Sequence, residues 1–159
     1  MSNKKKLVLG VDPGLARTGL GLIELTDDGV QYIDHILINT KQKHTTHQRL
    51  YSIFTEAKTW LEDYQIDCFA IEELFVGINK NTIIKLSMAR SMLLLLAEIK
   101  QAHVLNIPTK LVKQKIAGKG DAEKEDVNLA VCSALNITLS QYDCSDALAC
   151  ALYAVDVPL

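Results

Sequence analysis

The apolar run Leu7 to Val11 stops at Asp12-Pro-Gly14, and a second apolar stretch follows from Gly19 to Leu25. After the turn signal Asp27-Asp28-Gly29, a third runs from Val30 to Asn39. This pattern predicts three strands joined by tight turns, an antiparallel meander. Between Thr45 and Tyr64 the apolar positions Leu50, Ile53, Phe54, Ala57, Leu61 and Tyr64 keep a helical period, which predicts an amphipathic helix lying over the sheet. Cys68 to Ile71 is short and wholly apolar, as expected of a central strand parallel to the first.

A second helix is expected from about Asn81 to Ala102, apolar on nearly all sides through Met88, Met92 to Leu96 and Ile99. A helix buried all round needs two partners. One is its own sheet; the other is either a second copy of the same helix across a two-fold axis or the rest of a monomer core, and the pattern alone leaves both open. A strand at Thr109 to Val112, a basic loop, a helix from about Ala122 to Leu135 and a last helix from about Cys144 to Val155 complete the reading. The expected architecture is α/β: a mixed five-stranded sheet flanked by helices, in one domain over residues 1–159.

Composition narrows the class without naming a function. Apolar residues make up 48 % of the 159 residues, enough for a substantial core. No apolar run approaches the roughly 20 residues a bilayer-spanning helix needs, and Lys4-Lys5-Lys6 leads directly into a strand, so a cytoplasmic protein without membrane contact is expected. Cys68, Cys132, Cys144 and Cys150 sit in apolar segments without a Cys-x-x-Cys pair, as reduced core thiols would. A net charge of −2 argues against coating nucleic acid through bulk positive charge. Any DNA site is then a local basic surface, with candidates at Lys4 to Lys6, at Lys80, Lys85 and Arg90, and most densely at Lys110, Lys113, Lys115, Lys119 and Lys124. A solvated face is the alternative, since Asp121, Glu123, Glu125 and Asp126 interrupt that cluster. His44 and His47 lack a third nearby ligand and read as loop residues.

Four acids stand where a fold can aim them into a cleft: Asp12 and Glu72 at strand ends, Asp143 and Asp146 at the start of the last helix. Residues three apart on a helix share a face, so the last two can serve one site. Mg²⁺ prefers hard oxygen donors, and two such ions about 4 Å apart suit in-line hydrolysis of a phosphodiester. Each acid also has an ordinary explanation: a turn aspartate, a strand reaching solvent, a helix cap, a residue matched to the helix dipole. Only their ordered combination favours a metal site.

Blocks spread over nearly the whole chain carry a resemblance: Leu9-Gly-Val-Asp-Pro-Gly-Leu-Ala-Arg-Thr-Gly19, Phe69-Ala-Ile-Glu-Glu-Leu-Phe75, Met88-Ala-Arg90, Val112-Lys-Gln114, Gly118 to Val127 and Asp143-Cys-Ser-Asp-Ala-Leu-Ala149. Their order and spacing resemble those of the RuvC-type crossover junction endodeoxyribonucleases, Holliday-junction resolvases with an RNase H-like fold. The resemblance implies that Asp12, Glu72, Asp143 and Asp146 hold two Mg²⁺ ions, with Mn²⁺ as a possible substitute and Asp12 between them. It places Lys113 and Lys124 near the scissile phosphate, with Lys124 counted as catalytic. Phe75 is implied to stack on opened bases, and Arg90 and Lys119 to face DNA. It further implies a homodimer that makes paired symmetric nicks in four-way junction DNA, leaving 5′-phosphate and 3′-hydroxyl ends, in recombination and repair. Partnership with the branch-migration proteins RuvA and RuvB is implied as well.

The chain departs from the family pattern in its mild acidity and in Ser87 and Ser91, which stand where glycines usually flank the Ala-Arg pair. Two other classes compete. Asp12-Pro-Gly14 with Thr18-Gly19 resembles the phosphate-binding turn of sugar-kinase and actin-like ATPases, which need a second, duplicated domain. A non-catalytic junction-binding module would keep the lysines and Phe75 yet tolerate loss of the acids, and all four acids are retained.

Overall fold

A computed structural model describes residues 5–74, 77 and 79–158. Five strands, β1 (Lys6–Asp12), β2 (Arg17–Thr26), β3 (Gly29–Asn39), β4 (Cys68–Glu72) and β5 (His103–Ile107), form one sheet in the order β3-β2-β1-β4-β5. β1, β2 and β3 are the antiparallel meander, whereas β4 and β5 run parallel to β1. The helices are α1 (Thr46–Trp60), α2 (Lys80–Ile99), α3 (Thr109–Ala117), α4 (Lys124–Leu135) and α5 (Tyr142–Ala154).

Strand alternation sorts the core into two layers. Leu9 and Val11 of β1 and Phe69 and Ile71 of β4 pack with Ile53, Ala57, Leu93 and Leu96 of α1 and α2. Val8, Cys68 and Ala70 face the other way, toward Val112, Val127, Val131 and the apolar side of α5. The same alternation turns Asp12 and Glu72 toward α5. The parallel register pairs Val11 with Ile71, so the next residues, Asp12 and Glu72, stand side by side at the carboxyl ends of adjacent strands. Open α/β sheets place ligands at that edge.

α5 lies unusually close to the sheet because the strands beneath it lack side chains. A methyl group added at Gly10 would lie 1.7 Å from the Ala147 carbonyl oxygen, and one at Gly19 would lie 2.1 Å from that of Asp143. The helix answers with small residues, Ser145, Ala147, Ala149 and Ala151, all buried. Intimate contact of backbone with backbone thus sets the height at which Asp143 and Asp146 stand over the strand ends.

Two expectations change. Thr109 to Val112 is not a strand but the opening of α3, and the fifth strand is His103–Ile107. Pro108, with φ −63° and ψ 127°, ends the extended run and caps the helix, after which Val112 is buried and Ile116 and Ala117 half-buried along one side. β5 carries no clear strand signal because it is an edge strand whose His103, Val104 and Asn106 are exposed, so it lacks the apolar run of a central strand. The basic segment after Pro108 is accordingly helical rather than a loop. α5 also starts at Tyr142, with Gln141 as its cap, so Asp143 sits inside the first turn and is not the capping residue.

α2 is less enclosed than its composition suggests. Ala89, Leu93, Leu96 and Ala97 are buried, while Ile84, Met88, Leu95 and Ile99 remain 39–52 % exposed. Spaced by four, seven and four residues, these four form one apolar stripe turned outward. The four cysteines are free thiols, and among the described residues no helix is long and apolar enough to cross a membrane.

Candidate active site

A cavity of about 330 Å³ opens at the carboxyl ends of β1 and β4, lined by Asp12, Glu72, Asp143 and Asp146 together with Arg17, Thr109, Lys113 and Lys124. Three segments distant in sequence therefore deliver all four acids to one place. Asp12 and Glu72 come from adjacent strand ends. Asp143 and Asp146 come from the start of α5, where the helix dipole favours negative charge.

Crowding of like charge shapes the electrostatics. Burial raises the Asp12 carboxyl well above the usual carboxylate range; Glu72, Asp146 and Asp143 raise it further, and Lys124 opposes them. Asp146 is pushed up to about 6, chiefly by burial, against the pull of the Lys124 and Lys113 ammonium groups and with the help of Glu72 and Asp143. Burial and mutual repulsion both disfavour the charged form of these carboxylates, and a bound cation would offset both.

Three of the four acids have a protein partner. An Arg17 Nη nitrogen lies 2.8 Å from Asp143 Oδ2, and Lys124 Nζ is 4.0 Å from Asp146 Oδ2. The Thr109 hydroxyl donates to Glu72 Oε1. Among the described residues, no three His, Cys, Asp or Glu side chains are already gathered around one point. The donor set still fits Mg²⁺: it is all carboxylate oxygen, and Cys150, at the cavity wall, keeps its proton because burial pushes its thiol up.

The remaining expected residues fall in different places. Lys113 and Lys124 line the cavity, from α3 and from the first turn of α4. Lys119 is paired with Asp126 at 3.2 Å, and Lys115 is turned away to Asp156 at 2.7 Å. Arg90 donates from Nε to the Glu72 carbonyl at 3.4 Å and from its guanidinium to the Asn106 side chain, bracing the ends of β4 and β5. Phe75 lies outside the described residues. Arg17 and Thr109 are site residues that the sequence does not announce. Arg17 belongs to the first motif block but has no role of its own there, and Thr109 falls in the segment expected to be a strand.

The family model for "Crossover junction endodeoxyribonuclease RuvC" matches residues 8–154. The crossover junction endodeoxyribonuclease RuvC of Ehrlichia chaffeensis is 38 % identical over 146 residues, 91 % of this chain and 93 % of that protein. Its counterpart from Hydrogenovibrio crunogenus is 38 % identical over 148 residues, covering 92 % and 86 %. Among solved structures, Thermus thermophilus RuvC in complex with a Holliday junction substrate superposes with a TM-score of 0.84 at 27 % identity, over 94 % of this chain and 95 % of that one. The fowlpox virus Holliday junction resolvase, at 12 % identity and a TM-score of 0.58, shares the fold alone. With sequence, fold and the clustering of four acids in agreement, the chain belongs to the RuvC family of crossover junction endodeoxyribonucleases.

Proposed function

We propose that this protein resolves four-way (Holliday) DNA junctions by metal-dependent hydrolysis of one phosphodiester in each of two opposing strands. The observation that carries this reading is the meeting of Asp12, Glu72, Asp143 and Asp146 in one cavity edged by Arg17, Lys113 and Lys124. The family is one of metal-dependent nucleases. For this chain we assign Asp12, Glu72, Asp143 and Asp146 as the residues that would hold two Mg²⁺ ions, with Mn²⁺ able to substitute. When bound, the ions supply an activated water and stabilise the departing 3′ oxygen, which yields 5′-phosphate and 3′-hydroxyl ends.

The chain's own residues do the rest. Lys124 and Lys113, on the cavity wall, attract the scissile phosphate and offset the negative charge that develops on it. Thr109 holds Glu72 from the side, and Arg90 holds the same strand end through its backbone. Phe75 is assigned to stacking on an opened base, and Lys119, freed from Asp126, to the DNA backbone. The apolar stripe of α2 suits a two-fold homodimer, whose paired sites match the two-fold symmetry of the junction. Recombination and repair in the cytoplasm, alongside RuvA and RuvB, is the setting this activity fits.

The test is cleavage of a labelled synthetic four-way junction and a linear duplex, with and without Mg²⁺, by wild type and Asp12→Asn. Paired nicks confined to the junction, the metal and the wild type are expected, with Asp12→Asn still binding. A wild type that binds the junction with Mg²⁺ present and never cuts it sinks the proposal.

A further inference from the structure

Beside the catalytic cavity lies a second concavity of about 380 Å³ that shares Gly14, Arg17 and Leu86 with it, so the two adjoin. Its walls carry, among the described residues, Arg17, Gln42, Arg49 and Lys85 and no acidic residue. Among the described residues Arg17 alone of these cations pairs with an acid, Asp143 of the catalytic cavity, whereas the other lysine cluster is interleaved with acids along the sequence. Among the described residues neither Arg49 nor Lys85 has a carboxylate within ion-pair distance.

Arg49 is also held in place. Its Nε donates to the Thr40 hydroxyl at 2.7 Å, Thr40 in turn donates to the Leu15 carbonyl, and the Thr40 amide donates to the Ala16 carbonyl at 3.0 Å. One edge of the guanidinium is thus tied to the turn that follows Asp12, while its Nη nitrogens have no partner among the described residues. A pre-positioned planar cation of this kind suits a phosphate oxygen pair, and the Gln42 amide adds a neutral donor.

We propose that this groove is a second backbone-binding subsite, in which Arg49, Lys85 and Gln42 hold the phosphates next to the scissile one, with Arg17 at the boundary. The inference rests on the resolvase reading above. A strand whose scissile phosphate lies among the four acids carries its neighbouring phosphates past the cavity rim, and the adjoining acid-free concavity is the surface that meets them. The subsite fixes the register of the strand and carries no base preference of its own.

The test compares wild type, Lys85→Gln and the double variant Arg49→Gln/Lys85→Gln, after thermal unfolding has confirmed that each is folded. The Lys85 side chain makes no hydrogen bond among the described residues, so Lys85→Gln keeps the test open if removal of the Arg49 brace harms folding. Junction affinity is measured against salt without divalent metal. Removing one phosphate contact flattens the slope of log K against log[salt] by about 0.9, so the double variant is expected to be shallower by about 1.8. Between 50 and 200 mM salt the wild type then loses about twelvefold more affinity than the double variant. Junctions carrying a single uncharged methylphosphonate, stepped through the three positions on either side of the cut, locate the subsite on the strand. At one or two positions the substitution weakens wild type and has no further effect on the double variant. If wild type binds and cuts junctions while salt slope and methylphosphonate response are the same in all three proteins, the groove assignment is overturned and the resolvase reading stands. If wild type neither binds nor cuts, the resolvase reading itself has failed.

Discussion

At the scale of single residues, the site is governed by the cost of placing four carboxylates in one partly buried cavity. Asp146 shows it most clearly, because its pKa rises from an ordinary 3.8 to about 6. The folded protein then holds the Asp146 proton more tightly than the unfolded chain does. Stability from this group is complete below the unfolded value and is lost as pH rises through about 6. At roughly 1.4 kcal/mol per unit, the loss is on the order of 2–3 kcal/mol. Metal-free Asp146→Asn is therefore expected to be more stable than wild type at pH 8, with the difference closing at pH 4, as read by urea unfolding in a chelator. A wild type as stable as Asp146→Asn at pH 8 contradicts this account. The residue-level expectations met the structure unevenly. The four acids meet at the strand ends and the helix start, and Lys113 and Lys124, which the family resemblance placed near them, line the same cavity, whereas Lys119 and Arg90 are engaged by Asp126, Asn106 and the Glu72 carbonyl. Nothing in the local sequence around a lysine or arginine tells whether a distant acceptor will claim it.

At the scale of elements, the decisive contact is α5 on the glycines of β1 and β2. Gly10→Ala drives a methyl group into the Ala147 carbonyl, and neither backbone can yield without moving the helix that carries Asp143 and Asp146. Overpacking of this kind costs about 3 kcal/mol. The variant is expected to lose that much in urea unfolding and to cleave junctions more slowly even at temperatures where it stays folded. A stable Gly10→Ala with full activity removes the claim that backbone contact sets the site. The meander, the parallel pairing of β1 with β4, and four of the five helices were legible in apolar periodicity, because each buries a regular stripe or a continuous run. β5 and α3 were not. An exposed edge strand has no apolar signature, and α3 places little more than Val112 in the core, too few residues to impose a period.

At the scale of the molecule, the outward stripe of Ile84, Met88, Leu95 and Ile99 is the surface on which the proposed homodimer rests. An exposed apolar stripe on a helix whose opposite side is already packed marks a surface for a partner. Since Leu95 is half exposed in the single chain, Leu95→Lys costs the fold little but places a charge in any two-fold contact through α2. Sedimentation is expected to show a shift from dimer to monomer, and the two nicks of a junction are expected to become independent, leaving singly nicked intermediates. An unchanged sedimentation profile directs the search for the dimer surface away from α2.

What the sequence determined by itself is the part of the protein that depends on local periodicity and motif order: the mixed α/β sheet, the acids at its strand ends and the family they signal. Local chemistry suffices there, because strand alternation and helical spacing decide the direction of a side chain before any tertiary contact forms. What only the tertiary structure decided is which charges meet. The Arg17–Asp143 pair, the Thr109 hold on Glu72 and the acid-free groove of Arg49 and Lys85 each join residues from segments far apart in the chain or from a turn and a distant helix. Such encounters depend on how closely the helices settle on the sheet, and that height is set by the small residues and glycines between them.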